Sequence, residues 1–122
     1  MGGALPTEFI GGTGTTSMVG GSMNDTFVGG SGHDTMVAGS GSNVFEFLSS
    51  EAGGQHVIKH FVSGTDQLYL EGYSLSQLQM GTGGTITTSG HNTFITLDGG
   101  KTSIELVGVK TLNTGDVTTT KP

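Results

Sequence analysis

The chain has 122 residues, of which 24 are Gly and none Cys, and its 4 Lys against 10 acidic residues leave a formal net charge of −6. That length holds one small core; so many glycines exclude a helical bundle, and the missing cysteines exclude disulfides and thiolate metal sites. The acidic balance, with no Arg, argues against nucleic-acid binding and favours a cation partner.

In chain order the first signal is a repeat. Cut from residue 2 in ninefold steps, the sequence reads GGALPTEFI, GGTGTTSMV, GGSMNDTFV, GGSGHDTMV, AGSGSNVFE. The second position is Gly throughout, from Gly3 to Gly39, and the eighth is Phe9, Met18, Phe27, Met36, Phe45. Because Phe and Met alternate at that position, two nonads make one coil. A six-residue turn and a three-residue strand, taken twice, return the chain above its start and stack the Phe side chains on one sheet and the Met side chains on the other. The expected fold is all-β, a parallel β-roll over residues 2–72, with a thin core and turns in which Gly allows coils to approach closely.

After Glu46 the register breaks. Gly53-Gly54-Gln55-His56 reads as a late turn, with strands over Val57 to Val62 and Gln67 to Leu70 around a Ser63-Gly64-Thr65-Asp66 turn. Ser74 to Met80 is left as a helical turn or loop. Strands are predicted at Thr85 to Thr88, Thr93 to Leu97 and Thr102 to Val107, with a last edge at Gly108 to Leu112 and a frayed Thr-rich tail. Residues 73–122 thus form a β-rich antiparallel cap over the open sheet edge, continuous with the roll as one domain. No run approaches the ~18 apolar residues of a membrane span, and Met1-Gly2-Gly3 lacks the basic and apolar regions of a cleavable signal.

Stacking at a spacing of eighteen brings the turns of Gly2, Gly20 and Ala38 to one side and those of Gly11 and Gly29 to the other, with the Gly53 turn continuing the second side and Asp66 the first. The sixth positions are Thr7, Thr16, Asp25, Asp34 and Asn43. The gaps between turns then pair Thr7 with Asp25, Asp25 with Asn43, Asn43 with Asp66, Thr16 with Asp34, and Asp34 with His56. As turn formers alone, Asp25 and Asp34 would favour the same loops without any ligand.

The nonads resemble the G-G-x-G-x-D-x-U-x pattern of repeats-in-toxin (RTX) proteins, also called hemolysin-type calcium-binding repeats, most closely at Gly20 to Val28 and Gly29 to Val37. The segment HVIKHFVSGTDQLYLEG is similar to the closing segment of RTX C-terminal domains, although His56 and His60 stand where that family usually has Asp, and TFITLDGGKTSIELVGV is similar to their final strands. The resemblance implies Ca²⁺ as cofactor, held between successive coils by the carboxylates and side-chain oxygens of Asp25, Asp34, Asn43 and Asp66. Carbonyls of Gly-rich positions complete the implied set: Gly11, Thr13, Gly20, Ser22, Gly30, Gly32, Gly39 and Gly41. Ca²⁺ takes six to eight hard oxygen ligands, which such turns can aim at one point. No gap has two carboxylates, so the sites are expected to be weak, in the roughly millimolar to submillimolar range.

The resemblance further implies a noncatalytic module of a secreted or cell-surface bacterial protein, exported by a type I secretion ABC exporter and folding outside the cell on binding calcium. Two alternatives are a surface-layer or adhesin self-association module and an accessory module of a secreted polysaccharide-modifying enzyme. Among the four His, a strand over Val57 to Val62 would hold His56 and His60 about 13 Å apart at ~3.3 Å per residue, too far to share a metal. His33 and His91 read as solvated turn residues. No nucleophile motif is present, and no enzymatic activity is expected.

Overall fold

A computed structural model describes residues 8–21, 24–48, 53–71, 86–97, 102–109 and 116–118. The first five strands, β1 (Glu8–Ile10), β2 (Thr15–Val19), β3 (Thr26–Gly29), β4 (His33–Val37) and β5 (Val44–Leu48), follow the nonads. Beyond the repeats lie β6 (Gly54–Lys59), β7 (Gln67–Glu71), β8 (Ile86–Ser89), β9 (Asn92–Leu97), β10 (Thr102–Val107) and β11 (Val117–Thr118). Successive strands of the repeat region alternate between two sheets, one ordered β1-β3-β5-β7-β11 and the other β2-β4-β6-β10-β9-β8. The result is a parallel β-roll.

The eighteen-residue register is observed directly: Phe9 lies opposite Phe27 and Phe27 opposite Phe45 on one sheet, Met18 opposite Met36 on the other. The Phe rings stack nearly parallel, with centroids 5.0 and 4.8 Å apart. Leu68 continues that column beneath Phe45, and Ile58 then Leu106 continue the Met column. These inward residues are fully or nearly fully buried below the half-buried Phe9, and they form one core. Apolar burial is non-directional and roughly proportional to area, so a core only one side chain deep on each sheet needs every coil stacked to keep water out.

Past Glu46 the spacing between paired turns lengthens from 18 to 23 residues on the first side. β6 starts at Gly54 and stops at Lys59, earlier at both ends than the predicted Val57 to Val62. Gly53 and Gly54, with φ of +115° and +87°, launch it, and His60, with φ of +66°, turns the chain so that Phe61 folds back onto Phe45. His60 is exposed and outside the strand, so His56 and His60 do not share a strand face as expected.

Within the cap β8, β9 and β10 pair antiparallel as expected, but the cap joins the roll in parallel. β10 pairs in parallel with β6 along its whole length, and only β9 and β8 are antiparallel additions beyond it. The cause lies in the side chains: Ile104 and Leu106 alternate inward and fall in register on His56 and Ile58, extending the roll's own column. Among the described residues the last strand is Val117–Thr118, parallel to β7; Gly108, at φ +83°, ends β10, and residues 110–112 of the predicted last edge lie outside the described residues. Asp116, buried just before β11, accepts hydrogen bonds from Ser63 Oγ and Gly64 N–H and so fastens this strand to the turn before β7. Ser74 to Met80 lies outside the described residues. No helix is long and apolar enough to cross a membrane among the described residues.

Candidate metal centre

The sixth-position residues are buried, with Asp25, Asp34, Asn43, His56 and Asp66 each no more than 2% exposed. They lie at or near the start of their strands, and Asp34 and His56 share the buried face with Met36 and Ile58, at the end of the apolar column. Strand pairing stacks Thr16 on Asp34 and Asp34 on His56. On the other edge, backbone bonds from Val44 to Asp25 and from Gln67 to Asn43 stack Asp25, Asn43 and Asp66.

In the gap above Asp34, the turn at Gly11 to Gly14 lies over the turn at Gly30 to His33. The carbonyls of Gly12 and Gly14 accept from Gly32 N–H and His33 N–H at 3.1 and 3.2 Å. The alternate carbonyls, of Gly11 and Thr13, abut the lower turn so closely that a Cβ at Gly30 would stand 2.6 Å from Gly11 O and one at Gly32 2.7 Å from Thr13 O. Only glycine permits that approach. The Asp34 carboxylate reaches back to the same turn, its Oδ1 within 2.8 Å of where a Gly11 Cβ would be.

Neither oxygen of Asp34 receives a hydrogen bond, although both are fully buried. His56 Nδ1 lies 2.9 Å from Oδ2 without forming a hydrogen bond to it. A buried carboxylate without donors costs several kcal/mol unless a cation compensates it. A Gly-rich turn of hard carbonyl oxygens beside a buried carboxylate that lacks donors fits Ca²⁺. Among the described residues no three His, Asp or Glu side chains meet at one point, so an ion here would draw most of its ligands from the backbone, and zinc-type clusters are not formed.

The opposite edge is bonded differently. Asp25 Oδ2 accepts from Gly21 N–H at 2.9 Å, and a Cβ at Gly20 would stand 3.0 Å from that oxygen, so the carboxylate lies against its own Gly-rich turn. Asn43 Oδ1 accepts from Asp25 N–H at 2.9 Å. Below it, Asp66 Oδ1 accepts from Asn43 N–H at 2.7 Å and from Asn43 Nδ2 at 3.2 Å, while Asp66 Oδ2 accepts from Val62 N–H at 2.9 Å. Asn43 Nδ2 also faces the carbonyls of Gly39 and Gly41 at 3.3 and 3.5 Å. Of the sequence-derived set, then, Gly11, Thr13, Gly30, Gly32 and Asp34 surround one gap, Gly20 and Asp25 lie at a second, and Gly39, Gly41, Asn43 and Asp66 close on one another in a third. Ser22 lies outside the described residues, as does Thr7. His33 and His91 are exposed.

Sequence reasoning missed Asp116, which no periodicity marks and which reaches its partners from more than 50 residues away. It placed His56 opposite Asp34 but carried no sign that the ring would be buried, edge-on to Phe47 with centroids 5.0 Å apart.

Residues 10–45 match the family described as RTX calcium-binding nonapeptide repeat, in four copies. That segment therefore carries RTX nonapeptide repeats, a repeat that binds calcium. No curated protein matches it. Among solved structures it is similar to the solution structure of the AlgE6R3 subunit from the Azotobacter vinelandii mannuronan C5-epimerase. The similarity has a TM-score of 0.53 at 20% identity, over 93% of this chain and 78% of that one, and shows the fold.

Proposed function

We propose that this chain is a noncatalytic calcium module that orders outside the cell when Ca²⁺ enters the gaps between coils, and that it serves as the C-terminal folding and type I secretion region of a larger extracellular protein. The observation that carries this reading is Asp34, a buried carboxylate with no hydrogen-bond donor beneath the carbonyls of Gly11 and Thr13. The residues we assign to calcium are Asp34 with the carbonyls of Gly11, Thr13, Gly30 and Gly32, and Asp25 with those of Gly20 and Ser22. Asn43, Asp66, Gly39 and Gly41 are bonded to one another and stay outside this set.

An ion that binds only the stacked form stabilises it by mass action, about 2.7 kcal/mol at one hundred times the dissociation constant. For a core one side chain deep, that decides between ordered and disordered coils. Calcium is scarce in cytosol and abundant outside, so the same equilibrium keeps the chain extended for an ABC exporter and folds it after passage. The test is circular dichroism in millimolar calcium and in excess chelator: calcium should raise the sheet signal and the melting temperature, and an identical spectrum and melt in chelator would sink the switch.

A second reading is favoured by the likeness to a subunit of a polysaccharide epimerase: an accessory module of an enzyme that modifies acidic polysaccharides. Titration with uronate oligosaccharides in calcium distinguishes it, since a folding and export region alone would give no binding.

A further inference from the structure

Two of the gaps between coils contain a side-chain nitrogen, from His56 and from Asn43. In the gap below Asp34, His56 is 2% exposed. Its Nε2 lies 3.2 Å from the carbonyl of Gly53, an oxygen that can only accept, so Nε2 carries a hydrogen. Its Nδ1 lies 2.9 Å from Asp34 Oδ2, so the ring occupies the space directly beneath that carboxylate. The Phe47 ring packs edge-on against the imidazole and holds it in the gap.

In the gap below Asn43, the orientation of the side-chain amide is fixed by its neighbours. Oδ1 faces a donor, the Asp25 N–H, while Nδ2 faces three acceptors: Gly39 O, Gly41 O and Asp66 Oδ1. Those two carbonyls and the carboxylate are the kinds of group that hold calcium in such a turn. Here one amide nitrogen gathers all three.

We propose that Asn43 Nδ2 and the His56 imidazole fill the two gaps that close the roll, Asn43–Asp66 and Asp34–His56, and exclude calcium from them, so that these two residues set how many ions the chain binds. The assignment rests on the calcium reading of the gaps nearer the N-terminus. An imidazole or an amide N–H donates to the oxygens that an ion would otherwise collect, and it offers calcium no ligand in return. The Asn43–Asp66 gap is thereby bonded by the chain itself, and in the Asp34–His56 gap the buried ring takes up the space beneath the carboxylate.

The test is calcium stoichiometry of the full chain by isothermal titration calorimetry, for the native sequence and for His56→Asp and Asn43→Asp. Each variant replaces the nitrogen by a second carboxylate oxygen in its gap and should bind one calcium ion more than the native chain. A native chain that binds ions and variants that bind the same number would overturn this proposal alone. A native chain that binds none, with variants that bind one, would support it and overturn the calcium reading of the upper gaps; no binding by any of the three overturns both. A measurement on the native chain covers variants that do not fold: in 10 mM calcium the His56 and Phe47 rings should keep their nuclear Overhauser contact. Loss of that contact, with the ring displaced from the gap, would refute the exclusion.

Discussion

The two ends of the roll use the same stacked turns with opposite chemistry. From β1 to β4 the coils repeat every eighteen residues, ring stacks on ring, and the turns direct backbone carbonyls and the donor-free Asp34 into the gap between them. From β5 to β10 the spacing loosens, and the gaps are closed by Asn43, His56 and Asp66 through contacts within the protein. In the regular repeat the demand of Asp34 is left unmet, while Asp25 is met in part by its own turn. An irregular end can place a particular nitrogen and meet that demand without an ion.

The largest expected effect divides the ends directly. In excess chelator, amides of β2 to β4 should lose most of their hydrogen-exchange protection while those of β6, β9 and β10 keep theirs; uniform loss along the chain would break the comparison. Next, His56→Ala removes a buried ring that packs on Phe47 and lies against Asp34. In chelator it should cost roughly 3 kcal/mol, read as a lower urea midpoint, and a midpoint like that of the native chain would show that the closing gap is not held by this ring.

Asp34→Asn acts on the other end. Losing the carboxylate under the Gly11 turn should weaken calcium binding at least tenfold, about 1.4 kcal/mol, measured by calorimetry; unchanged affinity would move the site away from Asp34. The smallest effect concerns Tyr69, on β7 opposite Glu46. Desolvation by burial, followed by the charges of Glu71 and Glu46, raises its hydroxyl pKa above 10.0. The unfolded chain thus ionises first as pH rises, and stability should begin to fall as pH passes 10.0. Tyr69→Phe should remove that part of the alkaline loss, seen as a flatter melting temperature between neutral and alkaline pH.

Much of the roll was legible because its signal is local and repeated. Phe9, Phe27 and Phe45 at a spacing of eighteen lead directly to a stacked column, and the sixth positions then fall along the edges without further assumption. The cap was legible only in part. Thr102 to Val107 is unmistakable as a strand, yet its partner is not its neighbour in sequence alone: it also pairs in parallel with β6, because Ile104 and Leu106 find their burial on His56 and Ile58.

By itself, the order of residues determined the coil length, the two side-chain columns and the positions able to face an ion, since each follows from periodicity along one strand of chain. Only the tertiary structure decided which gaps leave oxygen exposed to oxygen and which are filled by a nitrogen, and that Asp116 ties β11 to the turn before β7. Such outcomes depend on the direction of a side chain between residues far apart in the chain, where differences of an ångström separate a hydrogen bond from a bare charge, and periodicity carries no information about direction.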